Sequence, residues 1–255
     1  MASDMIIRVK NLGVSFNGTV ILSDVSFTAL KGEITVILGA SGCGKSTVMK
    51  QLLNLFPVQK GTVCVLGKDL SVVSEAEQQE LYLKMGVFYQ NGALLNSLTV
   101  GENVALPLEQ HSNLPESIIT DIVRMKLGLV HLSHAYHLYP SELSGGMLKR
   151  AALARAVALD PPLLFCDEPG AGLDPISLES LDRLVVNLKE QLGISVVMVT
   201  HEVSSILRIA DRIVFIDGGV VAFEGTPSQA LESDVERVRN FFAAAKDAKR
   251  IGGGS

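Results

Sequence analysis

The stretch that most constrains this chain is "ITVILGASGCGKST", residues 34–47. It is an uninterrupted apolar run, then a glycine-rich loop, then a lysine and two hydroxyls opening a helix pattern. An apolar run without alternation suits a strand buried on both faces, and such strands belong to parallel sheets in α/β proteins. The loop from Gly39 to Ser46 fits G-x-x-x-x-G-K-[ST]. At that spacing, loop N–H groups cradle phosphates, Lys45 reaches the β and γ oxygens, and the Ser46 hydroxyl ligates Mg2+. Gly39, Ser41, Gly42, Gly44, Lys45, Ser46 and Thr47 are therefore candidate nucleotide-binding residues. Cys43 stands at a free position of the motif and reads as a tolerated small residue.

A second glycine-bearing helix start lies far downstream, at "LSGGM" (143–147), and runs into "AALARAVAL". A helix start offers unpaired N–H groups and about half a positive charge, so it too suits an anion. Ser144 by itself reads equally well as a helix cap. Capping does not explain Gly145 and Gly146, which let a backbone come close to a ligand.

Two apolar strands end in polar side chains. "LLFCDEP" places Asp167 and Glu168 at a strand exit, facing opposite ways, before Pro169 ends the ladder. Beside a bound nucleotide, Asp167 suits the Mg2+ shell and Glu168 suits the attacking water. Without the phosphate loop the pair is an ordinary acidic loop entry. "ISVVMVTH" ends in His201. A lone histidine is more often structural, but the C-terminal edge of a parallel sheet is where ligands bind. Gln90 follows the apolar "GVFY" and offers an amide to metal and water.

Around these motifs the pattern alternates. "MIIRVKNLGVSF" and "VILSDVSFTAL" read as strands, and a helix is expected from Lys45 to about Phe56, where Pro57 would stop it. Helix signals follow at 101–110, 115–128 and 144–158. From Leu163 strands and helices alternate again: "LLFC", a helix over 176–192, "ISVVMV", a helix near 202–210, then "RIVFI". A "DGG" hairpin turn leads into "VVAFEG". A last helix is expected over about 234–248, with Phe241 and Phe242 docking it. The fold class is thus α/β, a parallel core interrupted by a helical insert.

The chain has 255 residues, 47% of them hydrophobic and 19% charged, with net charge −5. That charge gives no electrostatic footprint for nucleic acid. No apolar run approaches the ~18 residues of a membrane helix, and the N-terminus lacks the plan of a signal peptide. A membrane role is therefore expected to come through another chain. Cys43, Cys64 and Cys166 show no paired spacing and are expected to be reduced thiols.

Taken in order, "GASGCGKST", "FYQNGALL", "LSGGM", "LLFCDEP", "AGLDP" and "VTH" resemble the motif set of an ABC-type ATPase. The resemblance covers nearly the whole chain. It implies a phosphate-loop ATPase with a mostly parallel RecA-like core, an N-terminal antiparallel β subdomain and an inserted helical subdomain. It implies core residues 1–90 and 159–232, a helical subdomain 91–158, a C-terminal helix 233–250, and a linker or tag remnant at 251–255. It implies that two subunits pack head to tail around two ATP molecules, so that Ser144, Gly145 and Gly146 meet the γ-phosphate held by the other subunit's Lys45. It assigns Glu168, His201, Gln90 and Lys45 to catalysis, Ser46, Gln90 and Asp167 to Mg2+, and Asp174 of "GLDP" to the loop joining the two sites. Phe16 matches the aromatic that stacks on adenine. As a strand residue it reads almost as well as core.

Within the family, "VFYQNGALLNSLTVGENVALPLEQHSNLP" and "YPSELSGGMLKRAALARAVALDP" are similar to the MlaF-like ATPases of Mla and Mce lipid-transport systems, as is Met147 where most ABC proteins have Gln. That resemblance implies a homodimer on the cytoplasmic face of the inner membrane, peripheral through an MlaE-type permease. An MlaD-type lipid-binding protein and, in some systems, an MlaB-type regulator are its other implied partners. Three other readings compete with this one. An ABC ATPase for another cargo differs only in the permease. A soluble ABC ATPase acting on DNA or ribosomes usually needs tandem units or a long coiled-coil insertion. A nucleotide-gated module without turnover would lack Glu168 or His201.

Overall fold

A computed structural model describes residues 4–243 of the chain. Its strands are β1 (Met5–Phe16), β2 (Thr19–Leu30), β3 (Ile34–Gly39), β4 (Lys60–Val65), β5 (Lys68–Asp69), β6 (Met85–Phe88), β7 (Leu163–Asp167), β8 (Ser195–Val199), β9 (Arg212–Asp217) and β10 (Val220–Gly225). Its helices are α1 (Lys45–Leu52), α2 (Glu75–Leu83), α3 (Val100–His111), α4 (Glu116–Leu129), α5 (Gly145–Ala156), α6 (Pro175–Leu192), α7 (Val203–Ile209) and α8 (Pro227–Leu231). The described residues divide into two compact units, 4–74 with 197–243, and 75–196.

In the first unit β1 pairs antiparallel with both β2 and β4. The β1–β2 hairpin turns at Asn17 and Gly18, with φ of 50° and 79°, the pair of positive values that a tight twisted hairpin requires. β3 is buried along its whole length and lies parallel to β9. This is the double-sided burial that its unbroken apolar sequence calls for. β9 turns through Gly218 and Gly219 into β10, antiparallel to it. Asp211 locks the start of β3, its carboxylate accepting from the Ile34 N–H at 2.8 Å.

The helix opening at Lys45 ends at Leu52, short of the expected Phe56. Asn54 turns into the left-handed region (φ 51°) and the Leu55 N–H bonds back to the Lys50 carbonyl at 2.9 Å. The stop is therefore a local turn, set before Pro57 is reached. At the other end, helix covers 236–243. Phe242 is buried and the Phe241 ring packs edge-on against Phe215 at 5.7 Å. The remainder of the helix expected to 248 lies outside the described residues.

In the second unit β6 and β7 run parallel, with Met85 opposite Leu163 and Phe88 opposite Cys166. α3 starts at a reciprocal cap, Thr99 accepting from the Glu102 N–H and Glu102 from the Thr99 N–H. α3, α4 and α5 pack on one another. The small side chains of α5 make that close approach possible, since Ala151, Ala152 and Ala154 are all buried. This all-helical stretch is where the sequence signals at 101–110, 115–128 and 144–158 fall.

Candidate active site

The first unit holds a cleft of about 290 Å³ lined by Phe16, Ile21, Gly42, Gly44, Lys45, Ser46 and Thr47. Its floor is the turn from β3 into α1. Gly39 must be glycine, because a Cβ there would sit 2.1 Å from the Ile216 carbonyl oxygen. Gly44 must be too: it takes φ 104° and its Cβ would stand 2.5 Å from Leu22. Gly44 is also the residue before α1 and, having no side chain, cannot itself cap that helix. A helix start of this kind presents backbone N–H groups that suit an anion.

Lys45 stands at the mouth of the turn, donating to the carbonyls of Gly39 at 2.9 Å and Ala40 at 3.0 Å. Ser41 and Ser46 are exposed, and Thr47 is half-buried. Phe16 is 40% exposed at the tip of β1, its ring edge-on to Phe56 at 5.7 Å. It is a wall of this cleft and not a core residue. Ile21 is the wall residue that sequence reasoning missed, for nothing separates it from any other strand position. Burial pushes the Cys43 thiol up, outweighing the pull of Lys45, so it stays protonated beside the loop. His201, just past β8, is exposed, with Nε2 3.7 Å from a Glu202 carboxylate oxygen.

The second unit carries the other expected residues. Asp167 ends β7 and Glu168 follows in a left-handed conformation, φ 45°. Such a backbone costs on the order of 1–3 kcal/mol in a residue with a side chain and concentrates where function fixes direction. Gln90 is exposed just beyond β6. Ser144 caps α5, its hydroxyl accepting from the Met147 N–H at 3.3 Å. Gly145 and Gly146 follow at the surface, and a Cβ on Gly145 would meet nothing within 4 Å.

Asp174 has a structural task that its place in "GLDP" concealed. It caps α6, its carboxylate accepting from the Ile176 and Ser177 N–H groups, both at 3.0 Å. A hydrogen bond from the Ser177 hydroxyl, followed by that from the Ser177 N–H, holds its pKa below the ordinary carboxylate value.

Comparison with known proteins agrees with this reading of fold and motif. A family model described as "ABC transporter" matches residues 22–171. The Haemophilus influenzae "Intermembrane phospholipid transport system ATP-binding protein MlaF" is 41% identical over 242 residues, 95% of this chain and 92% of that protein. The Mycobacterium tuberculosis "Probable ribonucleotide transport ATP-binding protein mkl" is 37% identical, over 96% of this chain and 67% of that protein. Among solved structures, the ATP-binding cassette MJ0796, dimeric, post-hydrolysis and bound to ADP and Pi, superposes with a TM-score of 0.77 at 28% identity. It covers 86% of this chain and 98% of that one. A family match over more than half the chain, a near full-length relative and a shared cassette fold agree, and the chain belongs to the ABC transporter family as one of its ATP-hydrolysing subunits.

Proposed function

We propose that this chain energises phospholipid transport, as the ATPase of a homodimer seated on a membrane permease. The observation that carries the cargo is the 41% identity to the phospholipid-system relative, which spans nearly all of both proteins. The ribonucleotide-named relative matches at lower identity and over two thirds of its length. The dimer is supported by the dimeric cassette neighbour. No described helix is long and apolar enough to cross a membrane. On this reading the subunit is held at the inner membrane through the permease. An MlaD-type lipid-binding protein and, in some systems, an MlaB-type regulator complete the assembly on this reading.

Each residue then has a task. Adenine stacks on Phe16. The phosphates lie on the N–H groups of the loop from Gly39 to Thr47, with Lys45 on the β and γ oxygens. The partner subunit's Ser144, Gly145 and Gly146 close over the γ-phosphate, where the helix start favours negative charge. Glu168 polarises the attacking water, His201 steadies the γ-phosphate, and the Gln90 amide senses both Mg2+ and water. Asp174 keeps the loop between the two sites in shape by capping α6.

Mg2+ fits the donors offered. Ser46, Gln90 and Asp167 supply oxygen alone, the hard ligands that Mg2+ prefers, and no cluster of three His, Cys, Asp or Glu suited to a metal occurs among the described residues. A metal that shares its shell with substrate phosphates needs no such cage. When bound, it would neutralise charge on the β and γ oxygens. The chain's own residues do the positioning.

Co-purification of the full chain from native membranes, with mass spectrometry of bound proteins and extracted lipids, tests the proposal. A permease carrying phospholipid is expected. A permease without phospholipid would overturn the cargo and leave the ATPase in place.

A further inference from the structure

The turn after β6, residues 89–93, is fastened to α5 by side chains that the reaction scheme does not use. Lys149, buried on α5, donates its ammonium to the backbone carbonyl of Gln90. The same ammonium lies over the Phe88 ring, 5.6 Å from its centroid. Further along α5, the Arg155 guanidinium forks to two more backbone carbonyls, Gly92 at 2.8 Å and Ala93 at 2.7 Å.

The turn is shaped for this. Gly92 and Ala93 take φ of 71° and 51°, two successive left-handed residues that present both carbonyls to one fork. A Cβ on Gly92 would come within 3.2 Å of the Ala152 methyl, so the turn also lies directly on the helix. The Gly92 N–H closes the turn on the Tyr89 carbonyl at 2.8 Å. A guanidinium that is partly desolvated binds carbonyls more strongly than one in water. All three bonds run from α5 to backbone, so the Gln90 side chain stays available.

We infer that Lys149 and Arg155 are positioning residues for Gln90: they tie its turn to the helix that begins at Ser144–Gly146, so that the helix start and Gln90 move as one body. This rests on the roles given above to Gln90 and to that helix start. A γ-phosphate engaged by the helix start is then felt at Gln90 without a flexible joint between them. Within one subunit, closure and metal–water sensing become a single event.

Two measurements on the full chain test it. The first is hydrogen exchange without nucleotide. Arg155→Ala and Lys149→Met should speed exchange of the Gly92 N–H by about tenfold or more, local opening of a turn being far cheaper than unfolding. The Leu153 and Val157 amides should be unchanged. Unaltered exchange at Gly92 overturns the linkage. The second is steady-state ATP hydrolysis by the chain as purified from its native membranes. Each variant should lower kcat by about tenfold, as expected for a misplaced catalytic group, with KM for ATP within about twofold. Combined with Gln90→Ala, each should fall no further than Gln90→Ala alone.

Losses that multiply in the double variants overturn the proposal. Full turnover in Gln90→Ala overturns it through the reading it rests on, and the exchange result separates that outcome from failure of the linkage. Arg155→Lys, which keeps the charge and loses the fork, should fall between wild type and Arg155→Ala. An Arg155→Lys chain as slow as Arg155→Ala in a folded protein also supports the fork, and one as fast as wild type contradicts it.

Discussion

The two glycine-bearing helix starts look alike in sequence and differ in what their glycines answer to. At α1, Gly39 and Gly44 are dictated by their own chain: backbone oxygen at 2.1 Å from one absent Cβ, a leucine methyl at 2.5 Å from the other, and a left-handed φ at Gly44. At α5, Gly145 has open space where its Cβ would be, and the nearest atom to Gly146's is a Ser177 hydroxyl at 4.0 Å. Neither is among the residues of positive φ. A capping hydroxyl satisfies the α5 start, whereas the cap position of α1 is a glycine with no side chain to offer. The first loop is glycine-rich because of what lies inside the chain. Nothing among the described residues requires the second, which is what a surface made to receive another molecule's phosphate would look like.

The largest effect expected from breaking this contrast is on folding. Gly39→Ala drives a methyl into backbone and should destabilise the protein by about 3 kcal/mol, read as a drop in denaturation midpoint. If Ser144 meets a second subunit as proposed, Ser144→Arg should abolish ATP hydrolysis while single-site nucleotide affinity is kept, because the arginine obstructs only that surface. Retained turnover would remove that surface from the reaction. Lys45→Ala loses a charge-assisted contact worth about 1.5–3 kcal/mol, so nucleotide affinity should fall by roughly ten- to a hundredfold by calorimetry.

The smallest effect concerns Asp174. Its folded pKa is depressed, so the stability it lends is present above the unfolded carboxylate pKa, near 4, and is lost as pH falls through the folded value. Wild type should therefore lose α6 capping in acid. Asp174→Asn, a neutral cap, should flatten the part of the acid stability profile that depends on this residue.

Much of the fold could be read before the structure, and the exceptions have causes. β3 and β8 announced themselves as unbroken apolar runs, and both are buried throughout. α2 gave no signal because Leu81 is its sole buried residue, which leaves no apolar stripe to find. α1 was read too long because Leu55 and Phe56 look like a continuing apolar face. They are exposed, and Phe56 instead meets Phe16. In the site, phosphate-loop residues were legible because spacing and chemistry coincide in sequence. Lys149 and Arg155 were not, since a cation on an alanine-rich helix reads as solvent-facing, and their partners are backbone carbonyls that carry no residue identity. The Asp-Pro start of α6 was a capping signal read only as part of a motif.

The central claim is that the glycines of α5 serve a second subunit. It is tested most directly by measuring thermal unfolding and ATP hydrolysis together in Gly145→Ala. Alanine is the better helix former by about 0.5–1 kcal/mol, and its methyl has room within the chain. The account predicts a protein at least as stable as wild type that hydrolyses ATP far more slowly. A stabilised protein with undiminished turnover would contradict it.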